Sequence, residues 1–419
     1  MNRFLPNRRD VLAGAGITAL APRAFAGSLQ SKAPLVKSRD LVFVHGIFGW
    51  GPGELGPLPY WGKALSQFDK ALTVHEAKCG PVSSFHDRAC ELFAQIMGGV
   101  VDYGKAHSDD AGHARFSPRL KFDGFVKNWS AANPVVLIAH SAGAHTCLQL
   151  QMLLAQDYWK IGSNADWIEA IACVAGVLNG STLTYHFGCD KDTGLLKGAP
   201  GRLIDAAVNV ADWGSRLSLP ISLPGWVPTA KVDTWLDHWN GDTSAFVAGK
   251  DNLAYDLTLQ GCRAANETFH TNANTLYLSL VTGEEETEIF GFKTWGDMNI
   301  LLRDAATFQK YGIDFEGKPI PGWGTTEDLR IDAWRRTDGA VSSISQRYPF
   351  THHTEPVGGE GIFNRQPIDR GKWYFEPVEN AVVQRFDHLD PVAGVFVKNR
   401  VWSAHDKLYK MLNAKLLGV

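Results

Sequence analysis

The stretch VVLIAHSAGAHTCLQLQ, Val135 to Gln151, holds the residue best placed to do chemistry. An apolar run ends in His140-Ser141-Ala142-Gly143, and a helical pattern begins at once. A serine on a sharp strand-to-helix turn presents its hydroxyl to an acyl carbon, in the pattern Gly-x-Ser-x-Gly. Ala139 replaces the first glycine here. It adds one methyl while Gly143 keeps the second small position, so the pattern weakens more than the chemistry does. A serine hydroxyl attacks only with a base beside it and an acid that orients the base. Hydrolases built around such an elbow supply these in the order Ser, Asp/Glu, His. Downstream, RRTDGAVS offers Asp338 at a strand-end turn, and FDHLDP offers His388 in a polar loop before a C-terminal helix. His352 and His353, in THHTEP, compete for the role of base, and spacing does not decide among the three. The developing oxyanion needs two backbone N–H donors. Ala142, next to the serine, and Ile47, just past His45-Gly46, are the candidates.

These groups must be held by strands. DLVFVHGIFGW, PVVLIAHSAG, WIEAIACVAGVLNGS and NTLYLSLVTG read as strands running into loops, ALTVHEAK is a further strand candidate, and DRACELFAQIMGGVVDYG carries helical spacing. Apolar strands alternating with helices predict an α/β fold whose mostly parallel sheet is covered on both faces. In LLKGAPGRLIDAAVNVADWGSRL, residues 195–217, Arg202, Asp205, Asn209, Asp212 and Arg216 share one helical stripe. Leu203, Ile204, Ala207, Val208 and Ala211 fall largely on the other side, which suits either a core helix or a lid showing its apolar face to lipid.

The 419 residues are 45% hydrophobic and 20% charged, with a net charge of −3. Such a chain can bury a large core, and without basic excess nucleic acid is not an expected partner. Near the N-terminus, Arg8-Arg9, a weakly apolar run from Val11 to Ala21 and then Ala24-Phe25-Ala26 predict a twin-arginine signal peptide over residues 1–26. The run falls short of the roughly 20 residues a membrane span needs, so the expectation is export to the periplasm or medium without an anchor. The six cysteines are few for this length, and cargo that folds before export should not depend on disulfides.

Taken together, VHGIFGWG, GPVSSFHDRACELFAQIMGGVVDYGKAHSDDAGHARF, IAHSAG, LDHW, AYDL, TDGAVS and DHLD resemble the zinc-containing bacterial lipases of the thermoalkaliphilic and staphylococcal type. The resemblance extends over most of the chain beyond the signal. It implies an α/β-hydrolase fold in one catalytic domain, residues 27–419, with zinc-bearing and lid insertions at about 83–116 and 185–260. It makes Ser141 the nucleophile, Asp338 the acid, His388 the base, and Ile47 and Ala142 the oxyanion donors. Asp87, His107, His113 and Asp237 match the family's structural zinc ligands, whereas His86 and His238 merely adjoin them. Two departures stand out. The family's Thr-Pro-His-x-Gly stretch is here AGVLNGS, and the calcium site after the catalytic histidine keeps one carboxylate, Asp390, where relatives have two. Calcium is therefore not expected, and Phe386, Val392 and Phe396 should hold that loop by packing.

The expected activity is carboxylic ester hydrolysis, most simply of triacylglycerol at an interface. A polyester depolymerase, a short-chain carboxylesterase and a hydrolase-fold binding protein without turnover are the alternatives.

Overall fold

Four short, mostly aliphatic segments become the core of the molecule because they can be buried on both faces. In the computed structural model, residues 34–54, 58–197, 235–240, 243–289, 292–312, 331–350, 357–392 and 401–418 are described. The strands relevant to the site are β1 (Asp40–Val44), β2 (Thr73–Glu76), β5 (Val135–His140), β6 (Ile168–Val174) and β7 (Leu276–Val281). With β10 (Val357–Glu360) and β11 (Trp373–Pro377) they form a sheet of order β10-β11-β7-β6-β5-β1-β2 in which each pairing is parallel. Alternate residues point to opposite layers. Val42, Val44, Leu137, Ala139, Ile171 and Cys173 pack on one side, and Leu41, Phe43, Val136, Ile138, Ala172 and Val174 on the other.

The first side is covered by helices α1 (Phe85–Met97) and α3 (Gly143–Ala155), and the second by the C-terminal helix, Trp402–Leu417. From β1 the chain moves outward to β2 and then returns to β5 on the other side of β1. The carboxyl ends of β1 and β5 therefore flank a reversal of strand order, where open parallel sheets form their ligand crevice.

The helical reading of Asp87 to Gly104 is too long. α1 stops at Met97, where Gly98 and Gly99 take φ of 92° and 113°, and the chain continues as β3 (Gly99–Asp102), paired antiparallel with β4 (Phe116–Phe122). Positive φ is easy for glycine and costly for residues with a Cβ, so this pair ends the helix. Of the segment assigned to a metal-bearing insertion, α1 belongs to the helix layer, and the hairpin carries α2 (Lys105–Ala111) between its strands. Asp338 sits in a turn flanked by isolated bridges at Thr337 rather than at the end of a strand. All six cysteines are free and buried. Among the described residues no helix is long and apolar enough to cross a membrane. The expected signal peptide, His352 and His353, and residues 198–217 of the expected lid lie outside the described residues.

Candidate active site

Ser141 follows the last residue of β5 and takes φ of 56°, a left-handed conformation rare for a residue with a Cβ. The turn needs close neighbours. A Cβ at Gly143 would lie 2.4 Å from the Val44 carbonyl oxygen, and one at Gly46 would lie 2.6 Å from Ser141 Cβ. Both glycines let β1, β5 and α3 approach closely enough to set the serine at the crevice. Ala139, fully buried in the sheet, accommodates its methyl there.

His388 Nε2 lies 2.9 Å from Ser141 Oγ, and His388 Nδ1 lies 2.8 Å from Asp338 Oδ2. The structure thus brings together three residues separated by 50 and 247 positions in the chain. Asp338 is fully buried and richly satisfied. Its Oδ2 also accepts from Thr282 Oγ1 at 2.6 Å and Gln346 Nε2 at 3.0 Å, and its Oδ1 from the N–H groups of Ala340 at 3.0 Å and Val341 at 2.7 Å. Burial alone would raise its pKa, but the His388 charge and these hydrogen bonds outweigh it and hold the carboxyl below its usual range. The acid therefore stays ionised and, as an acceptor, faces a proton on His388 Nδ1, which leaves Nε2 toward the serine. Thr282 and Gln346 carried no signal in sequence. Thr282 reaches Asp338 because β7 ends beside it, and Gln346 because the turn Ser343–Gln346 folds back onto it.

The loop of His388 is held by more than the expected packing. Phe386 and Val392 are buried, and Phe396 lies outside the described residues. In addition, the buried Asp387 carboxylate accepts from the N–H groups of Leu389 at 2.9 Å, Asp390 at 3.1 Å and Asn299 at 2.6 Å. The single acid of the altered calcium motif, Asp390, accepts from the Asp387 N–H at 2.9 Å.

After β1, Phe48 takes φ of 56° and its N–H reaches the Pro81 carbonyl at 2.9 Å. The N–H groups of Ile47 and Ala142 have no backbone acceptor among the described residues, so both can serve a ligand. Arg88 braces this loop from behind. Its buried guanidinium donates to the carbonyls of His45 at 2.6 Å and Gly80 at 2.5 Å and to Thr146 Oγ1 at 2.9 Å. Burial and the Arg88 charge push the His45 pKa down to about 3, so its neutral ring accepts from the Cys79 N–H at 3.0 Å.

A second polar cluster lies among α1, α2 and the segment after Gly249. Ligand atoms of Asp87, His107, His113 and Asp251 all lie within 4.8 Å of one another. His107 Nε2 is 3.2 Å from Asp87 Oδ1 and 3.4 Å from Asp251 Oδ1, while His113 Nε2 is 3.2 Å from Asp251 Oδ2. A tetrahedral ion bound at about 2.0–2.1 Å separates its ligands by about 3.3–3.4 Å, close to these spacings. His113 donates from Nδ1 to the Ala114 carbonyl at 2.9 Å, which turns the Nε2 lone pair toward the cluster. That Nε2 and Asp251 Oδ2 are buried without hydrogen-bond partners, as expected of atoms meant for a cation. The donor set is therefore compatible with a metal ion.

Asp237, expected as the fourth ligand, stands outside this group. Its Oδ1 accepts from Ser117 Oγ at 3.0 Å and its Oδ2 faces Arg119 Nε at 3.4 Å. Asp251, in GKDNLAYDL, is the acid the sequence reading missed, and nothing in its spacing marked it. His238 is no bystander either. Its Nε2 lies 3.1 Å from Asp87 Oδ2, where it orients the carboxylate. His86 stacks on His107 with ring centroids 3.7 Å apart and contacts the Tyr103 carbonyl at 2.9 Å. A cavity of about 440 Å³ opens beside His107 and Asp251.

Residues 37–161 match a family model described as the lipase-like, C-terminal domain. Over 380 residues the chain is 27% identical to Lipase 2 of Staphylococcus aureus, an alignment covering 84% of this chain and 49% of that one. The chain thus spans about half the length of that relative. Among solved structures, EstA from Clostridium botulinum superposes with a TM-score of 0.68 at 24% identity, covering 93% of this chain and 91% of that one. Lipase 1 from Pelosinus fermentans superposes with a TM-score of 0.66 at 24% identity, covering 90% and 99%. The chain is similar in sequence to staphylococcal lipases and shares its fold with these two structures.

Proposed function

We propose that this chain is a serine hydrolase of carboxylic esters, most simply a lipase, that works through an acyl-enzyme. The observation that carries the reading is the continuous chain Ser141 Oγ, His388, Asp338, with contacts of 2.9 and 2.8 Å at the crevice between β1 and β5. His388 Nε2 takes the serine proton as Oγ attacks the ester carbonyl, then returns it to the leaving alcohol. Asp338 stabilises the imidazolium through Nδ1. The N–H groups of Ile47 and Ala142 receive the oxyanion, because neither has a backbone acceptor among the described residues and both flank Ser141. Water activated by His388 then releases the acid. The similarity to staphylococcal lipases supports the same chemistry.

Zinc held by Asp87, His107, His113 and Asp251 is part of the proposal. Those four residues would hold the ion, which would then cross-link α1, α2 and the later segment. Export by the twin-arginine route, an amphipathic lid over residues 195–217 and independence from calcium complete the reading. They are supported by Arg8-Arg9, by the two-sided pattern of that segment and by the hydrogen-bonded loop of His388.

The test is a series of esters from acetate to long-chain triglyceride, with a solid polyester included, run against wild type and Ser141→Ala. Ser141→Ala should lose turnover and labelling by a fluorophosphonate. Undiminished turnover in that variant rejects the mechanism, and a rate highest on the polyester reassigns the substrate. Replacing Arg8 and Arg9 by lysine should retain precursor in the cytoplasm.

A further inference from the structure

Three hydrogen bonds join parts of the site that the triad itself leaves unconnected. The Gly46 N–H donates to Tyr60 Oη at 3.0 Å. Tyr60 Oη lies 2.7 Å from His140 Nδ1, and His140 Nε2 lies 3.0 Å from the His388 carbonyl oxygen. Direction is forced from both ends. A carbonyl can only accept, so His140 carries its proton on Nε2, and Nδ1 must then accept the Tyr60 hydroxyl proton. The phenol oxygen is left to receive the Gly46 N–H. Every donor and acceptor in the row is used once.

The members are buried, with Tyr60 5%, His140 2% and His388 7% exposed. Burial and the nearby His388 charge hold the His140 pKa well below its usual value, and burial pushes that of Tyr60 up, so both stay neutral. The His140 ring also lies against the His388 ring, centroids 4.7 Å apart. His388 is thereby held four ways: its N–H by the Asp338 carbonyl at 2.9 Å, its carbonyl by His140, and its two ring nitrogens by Asp338 and Ser141.

We propose that Tyr60 and His140 are a pair of positioning residues that lock the base-bearing loop to the oxyanion loop, so that His388 and the Ile47 N–H keep one geometry about Ser141. This rests on the reading of Ser141, His388 and Asp338 as a hydrolytic triad. Neither residue touches substrate. They act because Gly46 immediately precedes Ile47, and because the carbonyl they hold belongs to the base itself. Misplacing reacting groups by about 1 Å can cost on the order of 10² in rate. Loss of the row should therefore lower kcat by about 10- to 100-fold while KM stays within about twofold, since ground-state binding is untouched.

The experiment measures kcat and KM on p-nitrophenyl butyrate, and the rate of inactivation by a fluorophosphonate, for the full chain and for Tyr60→Phe, His140→Ala, their double variant and His140→Gln. Ser141→Ala runs alongside. The expected result is a parallel fall in kcat and inactivation rate, with the double variant little worse than the weaker single, because a broken row cannot be broken twice. Glutamine can still donate to the His388 carbonyl, so His140→Gln should be milder than His140→Ala. A folded Tyr60→Phe enzyme with wild-type kcat overturns the proposal; if that variant does not fold, wild-type kcat in His140→Ala does so. Losses that multiply in the double variant also overturn it, since they mean two independent packing defects. Turnover undiminished in Ser141→Ala would instead reject the hydrolytic reading.

Discussion

Asp338→Asn keeps the shape of the acid and removes its charge, and the five donors around it make the consequence calculable. The amide has one acceptor oxygen to replace two. If that oxygen faces His388, the amide nitrogen confronts the N–H groups of Ala340 and Val341, which sit 3.0 and 2.7 Å away on rigid backbone. Two buried orphan donors cost about 1–3 kcal/mol each. If instead the oxygen stays with Ala340 and Val341, the nitrogen faces His388, Thr282 and Gln346. Thr282 can turn its hydroxyl to Gln346 Oε1 at 3.0 Å, and Gln346 Nε2 keeps the carbonyls of Thr282 and Val341, both at 3.2 Å. Only the imidazole must respond, by moving its proton to Nε2. The second orientation wins, and the base then donates to Ser141 when it should accept. Turnover should fall by about 10⁴, or about 5.5 kcal/mol in the barrier. The assay is hydrolysis of a soluble short-chain ester near neutral pH, with circular dichroism to verify the fold. Gly339 follows the substituted residue, so mass spectrometry must verify that the amide has not reverted to acid. A folded variant keeping more than a tenth of wild-type turnover would refute the argument. The same carboxyl has a depressed pKa in the folded state, so its stabilisation is present above the unfolded value of about 3.9 and is lost as pH falls through the folded value. Asp338→Asn should therefore flatten the loss of thermal stability on acidification below about pH 4.

The metal cluster separates two acids: Asp251→Asn should lower bound zinc, read by elemental analysis of protein purified without chelator, whereas Asp237→Asn should retain it, and the reverse result restores Asp237 as the ligand. Gly143→Ala should lose about 1–3 kcal/mol in urea unfolding, because its Cβ would press within 2.4 and 2.8 Å of the carbonyl oxygens of Val44 and His45; unchanged stability would show that α3 can move off β1. The six thiols should be silent toward Ellman's reagent until the protein is denatured, since all are buried and burial raises their pKa values, to about 12 for Cys79 and Cys189. Rapid reaction of any thiol in the native protein would contradict that burial.

What the chain determines locally is determined well. The strands from Asp40, Val135, Ile168 and Leu276 form where dense apolar runs end in glycine or polar turns, because backbone preference and burial on two faces act over a few neighbouring residues. The elbow is local in the same way, and Ser141 could be singled out from its immediate neighbours alone. Gly98-Gly99 is local too, and it should have ended the helix that the apolar spacing seemed to continue. Which side chains converge is another matter. Spacing could not choose among His352, His353 and His388, and it could not choose Asp251 over Asp237. Thr282, Gln346, Tyr60 and Arg88 gave no sign of their roles. Those choices depend on where parallel crossovers bring chain segments 50 to 247 residues apart, as at Asp338, His388 and Ser141. A buried polar atom must find a partner wherever the closed fold supplies one, and that demand leaves no periodic trace in the residues beside it.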